Sequence, residues 1–122
     1  MAATPEVQAK KLIKRRMEEV LKRRQLQAKL TWAGGSPYGG ATTVDLTGVI
    51  AGHPIAIEVK RFDGDGKLTA RQKMDLRDFA EAGAFSMVID SEASLSVFIA
   101  WLETLEPRDS NIPALIKALM EL

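Results

Sequence analysis

Three charged residues fall where the surrounding sequence is mostly apolar. In residues 55–60 (IAIEVK), Ile55, Ile57 and Val59 alternate with Ala56, Glu58 and Lys60, so an extended chain turns Glu58 and Lys60 to the same face. The runs 43–50 and 54–62 are β-branched and apolar, and only Ala51, Gly52 and His53 separate them. That spacing predicts an antiparallel hairpin with a tight turn at Gly52, which brings Asp45 beside Glu58 and Lys60. Two carboxylates and an ammonium on such a hairpin are costly to bury unless something compensates them. A divalent cation held by Asp45 and Glu58 would do so, and hard oxygen ligands suit Mg²⁺ or Mn²⁺. Lys60 could then orient the attacking water or stabilise charge developing on a phosphate. An ordinary salt-bridged cluster fits the same spacing, because D…E-x-K recurs often by chance.

Other chemistries find no support. The glycines of 35–40 have the spacing of a P-loop, but Ala41 stands where the phosphate-binding lysine belongs. Asp63 and Asp65 resemble the start of an EF-hand loop, yet Lys67 and Met74 occupy later ligand positions. His53 is the sole histidine and is expected in the turn, which leaves no His-based nucleophilic site. Phe98 and Trp101 fall on helical core spacing and read as packing residues.

The elements that must position these residues are legible in the pattern. Thr4 and Pro5 read as an N-cap and first helical position, opening a helix from Pro5 to about Arg24 with its bases on the exposed face. Val7, Ile13, Met17, Val20, Leu21 and Arg24 fall at helical spacing along it. Leu26, Ala28, Leu30 and Trp32 alternate with polar residues as in a half-buried strand. Residues 34–40 and 63–66 are loops by composition. Thr69 and Gln72 match a capping box for a helix that turns Leu76, Phe79 and Ala80 inward and stops at Gly83. Residues 85–89 read as a buried strand, followed by a helix carrying Leu95, Phe98, Ile99, Leu102 and Leu105. After a turn at 107–110, Ile112, Leu115, Ile116, Leu119 and Leu122 form the apolar face of a terminal helix. The expected architecture is a single α/β domain over residues 1–122, a mixed sheet of about four strands covered by helices.

Composition sets the bounds. The chain of 122 residues is 46% hydrophobic and 27% charged, as in globular domains, and has no cysteine for a disulfide scaffold or a zinc-thiolate site. No stretch approaches the roughly 20 apolar residues of a membrane span, and the N-terminus lacks a signal-peptide core, so a cytoplasmic location is expected. Net charge is only +1, but nine bases lie between Lys10 and Lys29, opposed there only by Glu18 and Glu19. Basic charge is therefore concentrated on the first helix.

TTVDLTGVIAGHPIAIEVK, followed by GKLTARQ and EAGAFSMVID, resembles the virus-type replication-repair nuclease (VRR-NUC) domain of the PD-(D/E)xK nuclease superfamily. The resemblance spans Glu6 to about Asp90 and implies a restriction-endonuclease-like core. It matches Asp45 to the aspartate of the PD motif, Glu58 and Lys60 to the E-x-K, and the Val59 carbonyl to a further metal ligand. Gln72 matches the glutamine opening the helix after the catalytic hairpin, and Glu6 an acidic residue of the first helix that reaches the site. Val44 departs from the family by replacing the proline before the aspartate.

The activity implied is Mg²⁺- or Mn²⁺-dependent endonucleolytic hydrolysis of DNA, structure-selective for branched or Holliday-junction-like substrates, in replication, recombination or repair. The resemblance also implies a homodimer, for which the terminal helix is a candidate interface, and a bacterial or phage-infected host cytoplasm. Lys14, Arg15, Lys22 and Arg23 of the first helix, with Arg61 and Lys67 beside the site, are the candidate DNA contacts. Two other readings compete with this one. A non-cleaving DNA-binding module on the same fold would not require the intact Asp45, Glu58 and Lys60. A carboxylate-pair hydrolase acting on sugars leaves Lys60 and the basic helix without a role.

Overall fold

The computed structural model describes residues 4–33, 44–63, 66–108 and 114–121. Its elements run α1 (Pro5–Arg24), β1 (Ala28–Trp32), β2 (Leu46–Ile50), β3 (His53–Val59), α2 (Ala70–Glu81), β4 (Phe85–Ile89), α3 (Glu92–Thr104) and α4 (Ala114–Met120). Thr4 caps α1 by accepting the Val7 N–H, and Pro5 fills a position whose N–H needs no partner. At the other end Gln25 enters the left-handed region and closes the helix.

The four strands among the described residues lie in the order β1-β2-β3-β4. The first three pair antiparallel, and β3 and β4 pair parallel through α2, which gives the expected mixed sheet flanked by helices. Ala51 and Gly52, at φ 50° and 85°, form the two-residue turn between β2 and β3. Positive φ at both positions matches the twist of the flanking strands. This turn fixes the register Leu46↔Ile57 and Ile50↔His53.

The alternation along β3 divides the interior into two layers. Ile55, Ile57 and Val59 pack with Ala9, Ile13 and Met17 of α1 and with Leu95, Phe98 and Leu102 of α3. Ala56 packs with Val44 and with Leu76 of α2, and Leu68, Phe79 and Val88 border that cluster. One face of the sheet is thus covered by α1 and α3, the other by α2. A strand covered on both faces reads as a continuous apolar run, and β3 does so from Pro54 onward except at Glu58.

Several expectations need correction. The bases of α1 do not all face outward: Arg16 pairs with Glu92, Arg23 pairs with Glu103, and Arg24 donates to the Leu102 and Leu105 carbonyls at 2.6 and 2.9 Å. The C-terminal carbonyls of α3 lack partners within the helix, and the last turn of α1 supplies a donor. Val7 and Ala80 are exposed rather than inward, and within β4 only Ile89 is fully buried. His53 opens β3 instead of sitting in the turn; its Nε2 lies 2.7 Å from the Glu106 carbonyl, and its ring meets Trp101 edge-on. Phe98 and Trp101 are packing residues as read, with Trp101 stacked on Phe85 at 4.1 Å.

In α4, Ile116, Leu119 and Met120 are exposed, so these side chains do not complete the core. The expected loop at 34–40, positions 64 and 65 of the second loop, 109–110 of the last turn, Ile112, the Leu115 side chain and Leu122 lie outside the described residues. Among the described residues, no helix is long and apolar enough to cross a membrane.

Candidate active site

The hairpin register sets the site. Extending the pairing of Leu46 with Ile57 by one residue puts Asp45 opposite Glu58 at the end of β2. Asp45 has already left the strand, and its Oδ2 accepts the Val59 N–H at 2.8 Å. Within an extended strand the N–H and C=O of one residue point to the same edge. The Val59 carbonyl therefore turns toward the Asp45 side.

Glu58 is the one polar or charged residue buried among those described, at 2% exposure. It lies on the α2 face of β3, next to the small side chain of Ala56. Its Oε1 receives Gln72 Nε2 at 3.3 Å and lies 4.0 Å from Lys60 Nζ. Its Oε2 is buried with no hydrogen-bond partner among the described residues. A buried carboxyl oxygen left so costs on the order of 1–3 kcal/mol unless a proton shared with Asp45, a water or an ion meets it.

Gln72 serves two structures at once. Its backbone N–H donates to the Thr69 hydroxyl and its Oε1 accepts the Thr69 N–H at 3.0 Å, completing the capping box of α2. The other end of the same amide reaches Glu58. The helix cap thus sets the direction in which Nε2 points, and the structural and functional readings of Gln72 are compatible.

Lys60 follows β3, with its N–H on the Ile89 carbonyl at 3.0 Å. Its stem is covered by Gly66, where a Cβ would stand 2.9 Å from the Lys60 Cβ. A glycine is the residue that lets the loop close this tightly. The ammonium lies on the Glu58 side, 4.0 Å from Oε1, and only 16% of the side chain is exposed.

The first helix contributes a residue that sequence reasoning assigned only to the basic run. Lys10 Nζ lies 3.2 Å from Asp45 Oδ1 and 3.8 Å from Glu6 Oε1. Glu6 is itself 46% exposed, so it connects with the site through Lys10. The i,i+4 spacing of Glu6 and Lys10 was the signal available for this pair; its contact with Asp45 depends on how α1 packs.

Lys14, Arg15 and Lys22 are exposed and form no ion pair among the described residues, whereas Arg23 is taken up by Glu103. Lys67 is exposed, and Arg61 is exposed and pairs with Asp63 at 3.6 Å.

The two carboxyls are pushed in opposite directions. Burial raises Glu58, and the Asp45 carboxylate beside it disfavours the charged form further; Lys60 offsets only part of this, leaving its pKa at about 8. Burial also acts to raise Asp45, but Glu58, the Val59 N–H and Lys10 outweigh it and hold Asp45 below its ordinary value. The repulsion expected between the pair thus falls on Glu58 alone.

Comparison with known proteins found no match to this chain among family models, curated proteins or solved structures.

The Glu58 shift has a definite sign in stability. In the folded protein Glu58 keeps a proton that an unfolded chain releases near 4.5, so its contribution to metal-free stability is full below that pH. It falls as pH rises toward 8, by on the order of a few kcal/mol, and then levels. Glu58→Gln should remove this fall, making the variant more stable than wild type at pH 8 and nearly equal to it near pH 4.5. Urea titrations in EDTA across that range would check this, and a parallel decline in both proteins would contradict it.

Proposed function

We propose that this chain is a metal-dependent endonuclease that hydrolyses DNA phosphodiester bonds, with a restriction-endonuclease-like core of the VRR-NUC type. The observation that carries the reading is the buried Glu58 carboxylate, which faces Asp45 and has one oxygen without a partner among the described residues. A divalent cation fits the donors: two carboxylates, with the Val59 carbonyl turned to the same edge, are all hard oxygen ligands. Among the described residues no group of three or more acidic or histidine side chains could hold a metal. Mg²⁺ does not require one, since it commonly takes one or two carboxylates and completes its shell with water and phosphate oxygens.

When bound, the cation neutralises charge on the phosphodiester and makes water easier to deprotonate near neutral pH. The chain's own groups do the rest. Gln72 fixes one Glu58 oxygen, the Val59 N–H fixes one Asp45 oxygen, and the confined Lys60 ammonium faces negative charge developing on the phosphate.

Lys14 lies one turn beyond Lys10 on the same row of α1, so exposed positive charge continues from the site along the helix. Together with Arg15 and Lys22 it forms the best-supported phosphate-binding surface, while Arg61 and Lys67 flank the site. The exposed Ile116, Leu119 and Met120 support a homodimer formed through α4, which would suit a branched, near-symmetric DNA substrate.

Cleavage of branched and linear DNA should vanish in EDTA and return with Mg²⁺ or Mn²⁺. Asp45→Asn keeps an oxygen for the Val59 N–H and removes the charge that repels Glu58. Above about pH 8, where Glu58 is ionised, it should therefore melt at or slightly above the wild-type temperature in EDTA, while cleavage falls by orders of magnitude and DNA binding persists. Retained cleavage with a clear drop in melting temperature would reduce the cluster to a structural ion pair. Binding without cleavage by the wild type would instead assign the non-cleaving module.

Replacing Lys14, Arg15 and Lys22 together by Gln should weaken DNA binding and flatten its dependence on salt, by about 0.9 in log–log slope for each phosphate no longer neutralised. An unchanged slope would make these bases a solvated face. Light scattering should give twice the chain mass of 13.4 kDa, and a monomer mass with and without DNA would remove the dimer.

A further inference from the structure

The Glu6–Lys10–Asp45 chain is unlike the other ion pairs of α1. Arg16 and Arg23 join α1 to α3, and their acids lie on that neighbouring helix. Lys10 instead spends its charge on Asp45, a carboxylate that the nuclease reading assigns to a cation. Both Asp45 oxygens are taken: Oδ2 by the Val59 N–H at 2.8 Å and Oδ1 by Lys10 at 3.2 Å. The first partner is backbone within the sheet and cannot leave without breaking the hairpin end. The second is the tip of a long side chain, 31% exposed, on a helix that already offers it another acceptor. Glu6 Oε1 stands 3.8 Å from the same ammonium, on the solvent side.

We propose that Lys10 is a built-in placeholder for the divalent cation: it neutralises Asp45 while the site is empty of metal and is handed to Glu6 when the cation binds. The inference rests on the metal-binding reading of Asp45 and Glu58. A monovalent ammonium balances one carboxylate, which suits a site whose second carboxyl, Glu58, has Lys60 as its own neighbour. A divalent ion between the two carboxylates would meet the Lys10 charge at close range, so occupancy by one opposes occupancy by the other. The turn of helix between Glu6 and Lys10 lets the ammonium change partners by side-chain rotation alone. Glu6 then acts as a positioning residue, through Lys10, rather than by touching the metal.

The test is calorimetric titration of Mn²⁺ into the full chain without DNA, so that no catalytic step enters the readout. Lys10→Gln should tighten Mn²⁺ binding about fivefold, the scale of one partly exposed ion pair. Glu6→Gln removes the receiving acceptor and should weaken binding about threefold. This exposed substitution leaves the core untouched and tests the proposal even if the Lys10 variant fails to fold. In the double variant the loss caused by Glu6→Gln should disappear, leaving the affinity of Lys10→Gln.

Equal affinities in wild type and Lys10→Gln would overturn the placeholder. So would a Glu6→Gln loss that persists without Lys10, since Glu6 would then act on the metal directly. Absence of Mn²⁺ binding in wild type and every variant, at millimolar metal, would instead overturn the metal reading on which the inference stands.

Discussion

The structure around the site depends on one unfavourable fact, a carboxylate buried in a strand that is covered on both faces. Glu58 stands where the neighbouring positions of β3 carry Ala56, Ile57 and Val59, all fully enclosed. Ionising it there is costly, so without metal it keeps its proton up to about pH 8, and the groups that ease its charge come from different parts of the fold. Gln72 arrives from the first turn of α2 and Lys60 from the end of the same strand. The compensation is incomplete, because one Glu58 oxygen has no partner among the described residues and the adjacent Asp45 keeps its charge. Replacing a buried ionic cluster by apolar residues of similar size is often neutral or stabilising, so such a cluster is weak evidence of a purely structural role. A bound cation would relieve that deficit in the proposed nuclease.

The fold divides its charges by position rather than by type. Bases near the end of α1 are spent on holding α3, where Arg24 satisfies carbonyls of the last helical turn and Arg23 meets Glu103. Bases on the outer side of α1 remain with solvent. Lys10, on the flank between these two faces, reaches the carboxylates. A single amphipathic helix therefore packs the sheet, clamps a second helix and reaches the site from the layer opposite α2. The hairpin that carries the site is gripped from both faces at one end, which limits how far Asp45 and Glu58 can move apart.

Stability and function pull against one another here in a way that follows from the geometry. Tight closure of the loop over Lys60 needs Gly66, and a well-directed Gln72 needs the capping box, so ordinary structural devices hold the polar groups in place. The cost of the arrangement is confined to Glu58. The apolar layers formed by α1 and α3 on one side and α2 on the other carry the fold without it.

Local pattern was enough to locate the eight elements of the described residues, because caps, turn residues and apolar periodicity act within a few residues of one another. Thr4–Pro5 and Thr69–Gln72 each specify a boundary by chemistry that is complete in the sequence, and Gly52 marks the hairpin turn. The period of two along 55–60 also determined that Glu58 and Lys60 share a face, and hairpin register put Asp45 level with Glu58. What the sequence left open were facts about packing between distant segments. The inward use of Arg16, Arg23 and Arg24, the strand position of His53 and the exposure of α4's apolar residues all depend on where one element lies against another. So does the partner of Lys10, which is 35 residues from Asp45 in the chain and 3.2 Å away in space. Periodicity tells a helix which face to bury, but not which neighbour its flanking side chains will meet, and only the assembled layers decide that.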